Sequence, residues 1–275
     1  MTRPLRHRYL WSRRVGQLGL LVLMAGGNFW GWQILRGNLS QSSLLGTVPL
    51  ADPLAVLQLL AAGGLLAVDA LLGAAIAVVF YGLIGGRVFC SWVCPVNAVT
   101  DLANWLAARL GWRAGGPGLL LSRRSRHLAL VLTLVLSAVL GTAAFEMISP
   151  IGFLHRGVVF GATAGSLVVV AVFLFDLAVQ KNGFCGHLCP LGAFYTLVGR
   201  FSLLRVAHDH RKCTDCLECV RVCPEPQVLK LVGQASGSIL PGECTNCGRC
   251  IEVCDDDALR FAYRKQAISL TTGGL

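Results

Sequence analysis

Cys213-Thr-Asp-Cys216-Leu-Glu-Cys219-Val-Arg-Val-Cys223-Pro224 recurs as Cys244-Thr-Asn-Cys247-Gly-Arg-Cys250-Ile-Glu-Val-Cys254-Asp255, and these eight of the chain's twelve cysteines decide the reading. Three cysteines at successive three-residue steps wrap a tight turn around one cubic iron–sulfur cluster, while the fourth points away and serves the other cluster. One ligand set is therefore Cys213, Cys216, Cys219 and Cys254, and the other is Cys244, Cys247, Cys250 and Cys223. Zinc sites pair two separated Cys-x2-Cys knuckles on one tetrahedral ion, which leaves a third cysteine at the next step without a vertex. Cys254 is followed by Asp255 where the first copy has Pro224. Proline mainly fixes the exit of the chain, so this end is expected to be looser, with ligation kept.

Composition places these motifs on an unusual chain. Of 275 residues, 55% are hydrophobic and only 14% charged, which is the make-up of a membrane protein with a polar tail. Apolar runs at about 15–35, 65–85, 128–147 and 158–179 each approach the roughly 20 residues that span a hydrocarbon core. The expectation is a mainly α membrane protein of four transmembrane helices in two pseudo-repeated hairpins. The shorter stretch Pro53–Ala62 reads as surface-lying or re-entrant. The first run is too long for a signal-peptide core and is expected to be retained. Twenty-two of the 24 Lys and Arg residues fall on one side of the four runs. By the positive-inside rule this places both termini and the cluster domain in the cytoplasm of a multi-pass protein of the bacterial inner membrane. The net charge of +10 then needs no nucleic-acid partner. A reducing cytosol also argues against disulfides. The expected domains are a basic N-terminus, 1–14, a four-helix membrane domain, 15–204, and a small α+β domain with two [4Fe–4S] clusters, 205–275. Between Cys223 and Cys244, Val228–Val232, then Ser236-Gly237, then Ile239-Leu240 read as a short hairpin. So few apolar residues need the clusters as staples.

An internal repeat is the next feature. Val88-Phe-Cys90-Ser-Trp-Val-Cys94-Pro95 returns 95 residues later as Gly183-Phe-Cys185-Gly-His-Leu-Cys189-Pro190. Each copy ends a helical hairpin, so the first 200 residues read as two copies of one unit. Proline suits the first turn of a new helix, and Val96, Val99, Leu102, Leu106 and Leu110 follow at helical spacing as an interfacial apolar face. Cys90, Cys94, Cys185 and Cys189 support three readings: a redox or cluster-proximal thiol motif, ligands of an accessory metal together with His187, or small apolar residues closing a corner.

Beyond the residues themselves, Arg87-Val-Phe-Cys90-Ser-Trp-Val-Cys94-Pro95, Ile148-Ser-Pro-Ile-Gly-Phe-Leu-His155-Arg156-Gly157 and Cys185-Gly-His-Leu-Cys189-Pro190-Leu-Gly-Ala-Phe-Tyr195 carry a likeness. Together with the doubled cluster motif they resemble the ferredoxin-type quinol dehydrogenase subunit of periplasmic nitrate reductase systems, the NapH type. The resemblance implies oxidation of quinol, menaquinol or ubiquinol, from the membrane quinone pool. Electrons would pass, with a periplasmic ferredoxin-like partner of the NapG type, toward periplasmic nitrate reductase. The related polyferredoxins imply an alternative, a metal or thiol reductase that assists assembly of a copper oxidase or nitrous-oxide reductase.

Quinol oxidation needs a proton acceptor beside the electron acceptor. Ionisable residues within the apolar runs are scarce, and Asp176, with His187 second, is the best-placed base; Asp69 and Glu146 lie farther off. No Cys-x2-Cys-His haem motif is present.

Overall fold

The computed structural model describes residues 7–112, 121–161 and 163–264. In chain order these form α1 (Arg8–Phe29), the strands β1 (Leu35–Gly37), β2 (Gln41–Leu44) and β3 (Val48–Ala51), then α2 (Pro53–Ala61) and α3 (Val68–Ile84). A π turn, Phe89–Val93, precedes α4 (Val96–Arg109), α5 (Ser125–Leu140), α6 (Ala144–Ile148), α7 (Pro150–Phe160) and α8 (Ser166–Ala178). A second π turn, Phe184–Leu188, precedes α9 (Pro190–Val198) and β4 (Leu204–His208). The chain closes with α10 (Glu218–Val222), β5 (Gly237–Ser238), α11 (Arg249–Val253) and β6 (Leu259–Tyr263).

The apolar runs do not become membrane spans. Among the described residues no helix is long and apolar enough to cross a membrane. The four-transmembrane-helix fold, the multi-pass inner-membrane localisation and the orientation drawn from the basic residues are therefore corrected. Each run fails for a local reason. The first ends its helix at Phe29 and continues into β1, and α1 carries Arg8, Arg13, Arg14 and Gln17. The second yields α3, 17 residues long, or about 25 Å at the α-helical rise. Gly141, at φ +66°, stops α5 after 16 residues. Gly161, at φ +89°, separates α7 from the 13-residue α8. Continuous hydropathy is not continuous helix, because a left-handed glycine ends the hydrogen-bond ladder without adding any polar residue to the count.

Two compact units result. The first gathers Phe80–Val93 with the described parts of Met1–Gly16 and Tyr195–Leu275. Its sheet has the order β5-β4-β6, antiparallel, with Leu204 opposite Tyr263 and His208 opposite Leu259. Val206, Val228, Leu229, Val232, Ile239 and Leu259 pack with Cys219 and Cys250 into its core. The expected hairpin between 228–232 and 239–240 does not form. Gly237–Ser238 pairs with β4, and 226–229 forms a 3-10 turn whose Val228 and Leu229 are buried. That segment contributes to the core as a turn, with Val228, Leu229 and Val232 packed against Val206 and Ile239.

The second unit, Gln17–Val79 with Cys94–Phe194, opens on an antiparallel meander of β1, β2 and β3. Asp52 caps α2 by accepting the Leu54 N–H at 2.9 Å, with Pro53 in the first turn. Gln58 is fully buried between α2 and α5; its Oε1 accepts the Phe145 N–H at 2.8 Å and the Ser137 hydroxyl at 3.3 Å. Helix α4 starts where the proline predicted, but it buries another face. Val96, Thr100, Ala103 and Ala107 are inside, while Leu102 and Leu110 are more than half exposed. Small residues win because α8 lies close, with Ala103 and Ala107 meeting Leu177.

Candidate functional site

The two cysteine loops repeat in backbone as well as in sequence. Asp215 and Leu217 have φ +56° and +57°, and the matching Asn246 and Gly248 have +48° and +77°. Alternating right- and left-handed residues turn successive N–H groups toward one point, a concavity suited to an anion. Asp and Asn tolerate this region because their side chains bond locally. The Cys213 thiol lies 3.3 Å from Asp215 Oδ1, and Cys244 lies 3.4 Å from Asn246 Oδ1. Each loop leads into a five-residue helix, α10 or α11.

The thiols fall into two neighbourhoods. Burial, with the proximity of Cys254, Cys213 and Cys216, raises Cys219 to about 11. Burial likewise raises Cys223 to about 12 and Cys244 to about 11, with Cys247 adding to both. Cys250 is pushed up by burial, then by Cys247, Cys244 and Cys223. Cys223, Cys244, Cys247 and Cys250 line one pocket, together with apolar side chains that include Val206, Val228 and Ile239. Among the described residues no group of three or more His, Cys, Asp or Glu is placed as it stands to hold one metal ion; the second set of thiols shares the lining of one pocket. No cysteine forms a disulfide. Crowded thiols with raised pKa values, here Cys223, Cys244 and Cys250, resist ionisation unless a cationic group accompanies them, and an iron–sulfur cluster held by thiolates fits that donor set.

The expected looseness at Cys254 is offset by its neighbour. Asp256 Oδ2 accepts both the Thr214 N–H at 3.1 Å and the Thr214 hydroxyl at 2.7 Å, tying the chain's exit to the first loop.

The first cysteine corner is bound to the second loop. Ser91 donates its hydroxyl to the Thr245 carbonyl at 2.7 Å, and the Trp92 indole N–H donates to the Asn246 carbonyl at 3.1 Å. Arg87 pairs with Glu225 at 2.5 Å, each side chain 3% exposed, and also donates to the Glu243 carbonyl. Gly85 permits this approach, since a Cβ there would sit 2.6 Å from Asn246 Nδ2, and Gly86 permits a second one, to the end of α9. A Cβ on Gly86 would sit 2.0 Å from the Tyr195 carbonyl and 2.3 Å from the Gly199 nitrogen. Cys90 follows Arg87 in this unit and is half-buried. None of these docking side chains was singled out from the sequence. The signal was present in the repeat, whose copies differ at Ser91 against Gly186 and Trp92 against His187.

The second unit holds the other three corner cysteines. Cys94 and Cys189 are buried and Cys185 is half-buried. Cys189 Sγ accepts the Gly192 N–H at 3.4 Å, at the start of α9. Asp176 is fully buried; Oδ1 accepts the Phe184 N–H at 2.9 Å, and Oδ2 has no hydrogen-bond partner among the described residues. Burial raises its pKa to about 7 against the lowering effect of that bond. His187 is 3% exposed, with Nε2 2.9 Å from Gln180 Nε2. Leu121 donates its N–H to Gln180 Oε1, which fixes the amide so that its nitrogen faces His187. His187 Nε2 is therefore the acceptor. Glu146 Oε2 accepts the Ser40 hydroxyl at 2.6 Å, and Asp69 lines a separate open cavity with Arg36.

Comparison with known proteins meets this geometry. A family model for a 4Fe-4S binding domain matches residues 66–113 and 161–207, one match on each copy of the repeat, and a model for a 4Fe-4S dicluster domain matches 205–255. The chain is 47% identical over 225 residues to the ferredoxin-type protein NapH of Escherichia coli K12, covering 82% of this chain and 77% of that protein. It is 45% identical over 237 residues to NapH of Haemophilus influenzae, covering 85% and 82%. The methylamine utilization ferredoxin-type protein MauN of Methylorubrum extorquens is 45% identical over 243 residues, covering 87% and 84%. No solved structure matches. Paired cysteine loops, repeated corners and identity sustained over most of both chains agree: the chain belongs to the NapH/MauN family of ferredoxin-type iron–sulfur proteins.

Proposed function

We propose that this chain is the electron-carrying component of a periplasmic nitrate reductase system, takes its electrons from quinol, and holds two [4Fe–4S] clusters. Cys213, Cys216, Cys219 and Cys254 would hold one cluster, and Cys223, Cys244, Cys247 and Cys250 the other. The observation that carries the reading is the pocket whose lining the four thiols of the second set share. The mutual proximity of the first set and the NapH likeness add to it. Such clusters supply reversible one-electron chemistry. The chain's own part is to bury the thiolates, turn backbone N–H groups toward them and fix the loops against each other.

Quinol gives up two protons along with two electrons, and Asp176 is the proposed acceptor. Its free oxygen and pKa of about 7 let it take a proton at neutral pH. His187 is the weaker partner, since Gln180 already occupies Nε2. The reading is tested by anaerobic purification with iron and sulfide counts, followed by reduction with a soluble quinol. About eight irons are expected, and Asp176→Asn should slow reduction by quinol while dithionite reduction is unchanged. Unchanged quinol kinetics in an intact variant remove Asp176 from the reaction. Cys223→Ser should cost about half the iron, taken from the second set. Zinc in place of iron refutes the assignment.

The MauN relatives, nearly as similar as the NapH proteins, favour a second setting for the same chemistry, methylamine utilization. Complementation decides between the two: rescue of nitrate respiration in a strain lacking NapH, or of growth on methylamine in a strain lacking MauN.

A further inference from the structure

We infer that Ser91 and Trp92, on the first π turn, are positioning residues that hold the reduction potential of the second cluster set above the value its thiolates alone would give. The inference rests on the proposed assignment of Cys223, Cys244, Cys247 and Cys250. Both side chains donate to carbonyls inside the Cys244–Cys250 loop, Ser91 to Thr245 and Trp92 to Asn246. The peptides whose oxygens are bound carry the N–H groups of Asn246 and Cys247 at their other ends. A hydrogen bond accepted by a carbonyl polarises its own peptide, making the N–H on the far side more positive by roughly 10–30%. With Asn246 and Gly248 in left-handed conformation, that run of N–H groups forms the concave side of the loop. The two bonds also occupy the negative carbonyl ends of Thr245 and Asn246 with donors from the π turn.

Reduction adds one electron, and so one negative charge, to the group inside the loop, with no bond made or broken. More positive N–H groups stabilise that added charge, and hydrogen bonding and solvent exposure are known determinants of cluster potential. The ion pair of Arg87 with Glu225 holds the π turn in register, so both donors meet their carbonyls without a search. The repeat supplies an internal contrast. In the second copy these two positions are Gly186 and His187, and His187 is engaged by Gln180. The two donors of the first corner thus stand at positions where the second copy has other residues.

The test is a redox titration of anaerobically purified full-length protein with dithionite, which is oxidised to sulfite as it supplies the electrons, read by electron paramagnetic resonance. Trp92→Phe keeps the ring and loses the N–H; Ser91→Ala loses the hydroxyl; Ser91→Thr keeps it. The expected result is a negative shift of one of the two signals in Trp92→Phe and Ser91→Ala, additive in the double variant and absent in Ser91→Thr. Iron content and the other signal should stay as in the parent. A parent without two signals overturns the cluster assignment itself. An intact Trp92→Phe or Ser91→Ala with both potentials unmoved overturns the inference while leaving that assignment standing. Equal shifts of both signals also overturn it, since they would mark general loosening. Should Trp92→Phe lose iron, the Ser91→Ala and Ser91→Thr pair decides alone.

Discussion

Asp176 and Asp52 are carboxyls that the fold keeps from water, and burial raises each to about 7. An unfolded aspartate titrates near 3.9, so between about pH 4 and 7 the folded chain binds protons that the unfolded chain has released. Their contribution to stability is therefore complete below about pH 4 and is lost as the pH rises through 7. Asp176→Asn keeps an acceptor for the Phe184 N–H and removes the titration. The variant should be more stable than the parent at pH 8 by a margin on the order of a few kcal/mol, and the margin should close toward pH 4. Urea midpoints at pH 5 and pH 8 measure this, and a gap that does not change with pH denies the buried titration. Asp176 was legible in the sequence as a lone carboxylate in an apolar run. Asp52 was not, because an aspartate before proline looks like an ordinary helix cap until the surrounding burial is known.

Two π turns at equal places in the repeat are the element-scale signature of this family member. The spacing Cys-x3-Cys-Pro announced a helical corner followed by a new helix, and both follow. Its wider winding could not be foreseen, since that depends on what each turn must reach. The first turn reaches Glu225, and that contact makes a measurable demand. Arg87→Met would leave the Glu225 carboxylate buried without its cation, at a cost of about 3–5 kcal/mol. Arg87→Met with Glu225→Gln should recover much of this loss in urea unfolding, and a double variant no better than the single would mean that the pair is not what holds the turn. Gly86→Ala meets backbone on two sides that cannot move away, and should destabilise by about 1–3 kcal/mol.

For the whole molecule, the decisive contrast is between units with different sources of stability. The first unit's core is a handful of aliphatic side chains with Cys219 and Cys250 among them, so its order depends on what those thiols hold. The second unit rests on helix packing, α2 on α5 and α4 on α8, with Gln58 satisfied at its centre. Removal of iron with a chelator should raise amide hydrogen exchange in β4, β6, α10 and α11 far more than in α2, α5 and α8. Uniform exchange across both units would show that the clusters do not staple the first one.

The sequence by itself determined the doubled cysteine motif, the internal repeat and the new helix after Pro95, because cysteine spacing and proline act within a few bonds of where they stand. Tertiary structure decided what hydropathy could not. It set which side of α4 faces inward, since helix proximity favours Ala103 and Ala107 over Leu102. It also turned Ser91 and Trp92 toward a cysteine loop more than 150 residues away. A count of apolar residues measures how much surface a segment gains by leaving water. It does not say which neighbour covers that surface, and the neighbours are what fixed this architecture.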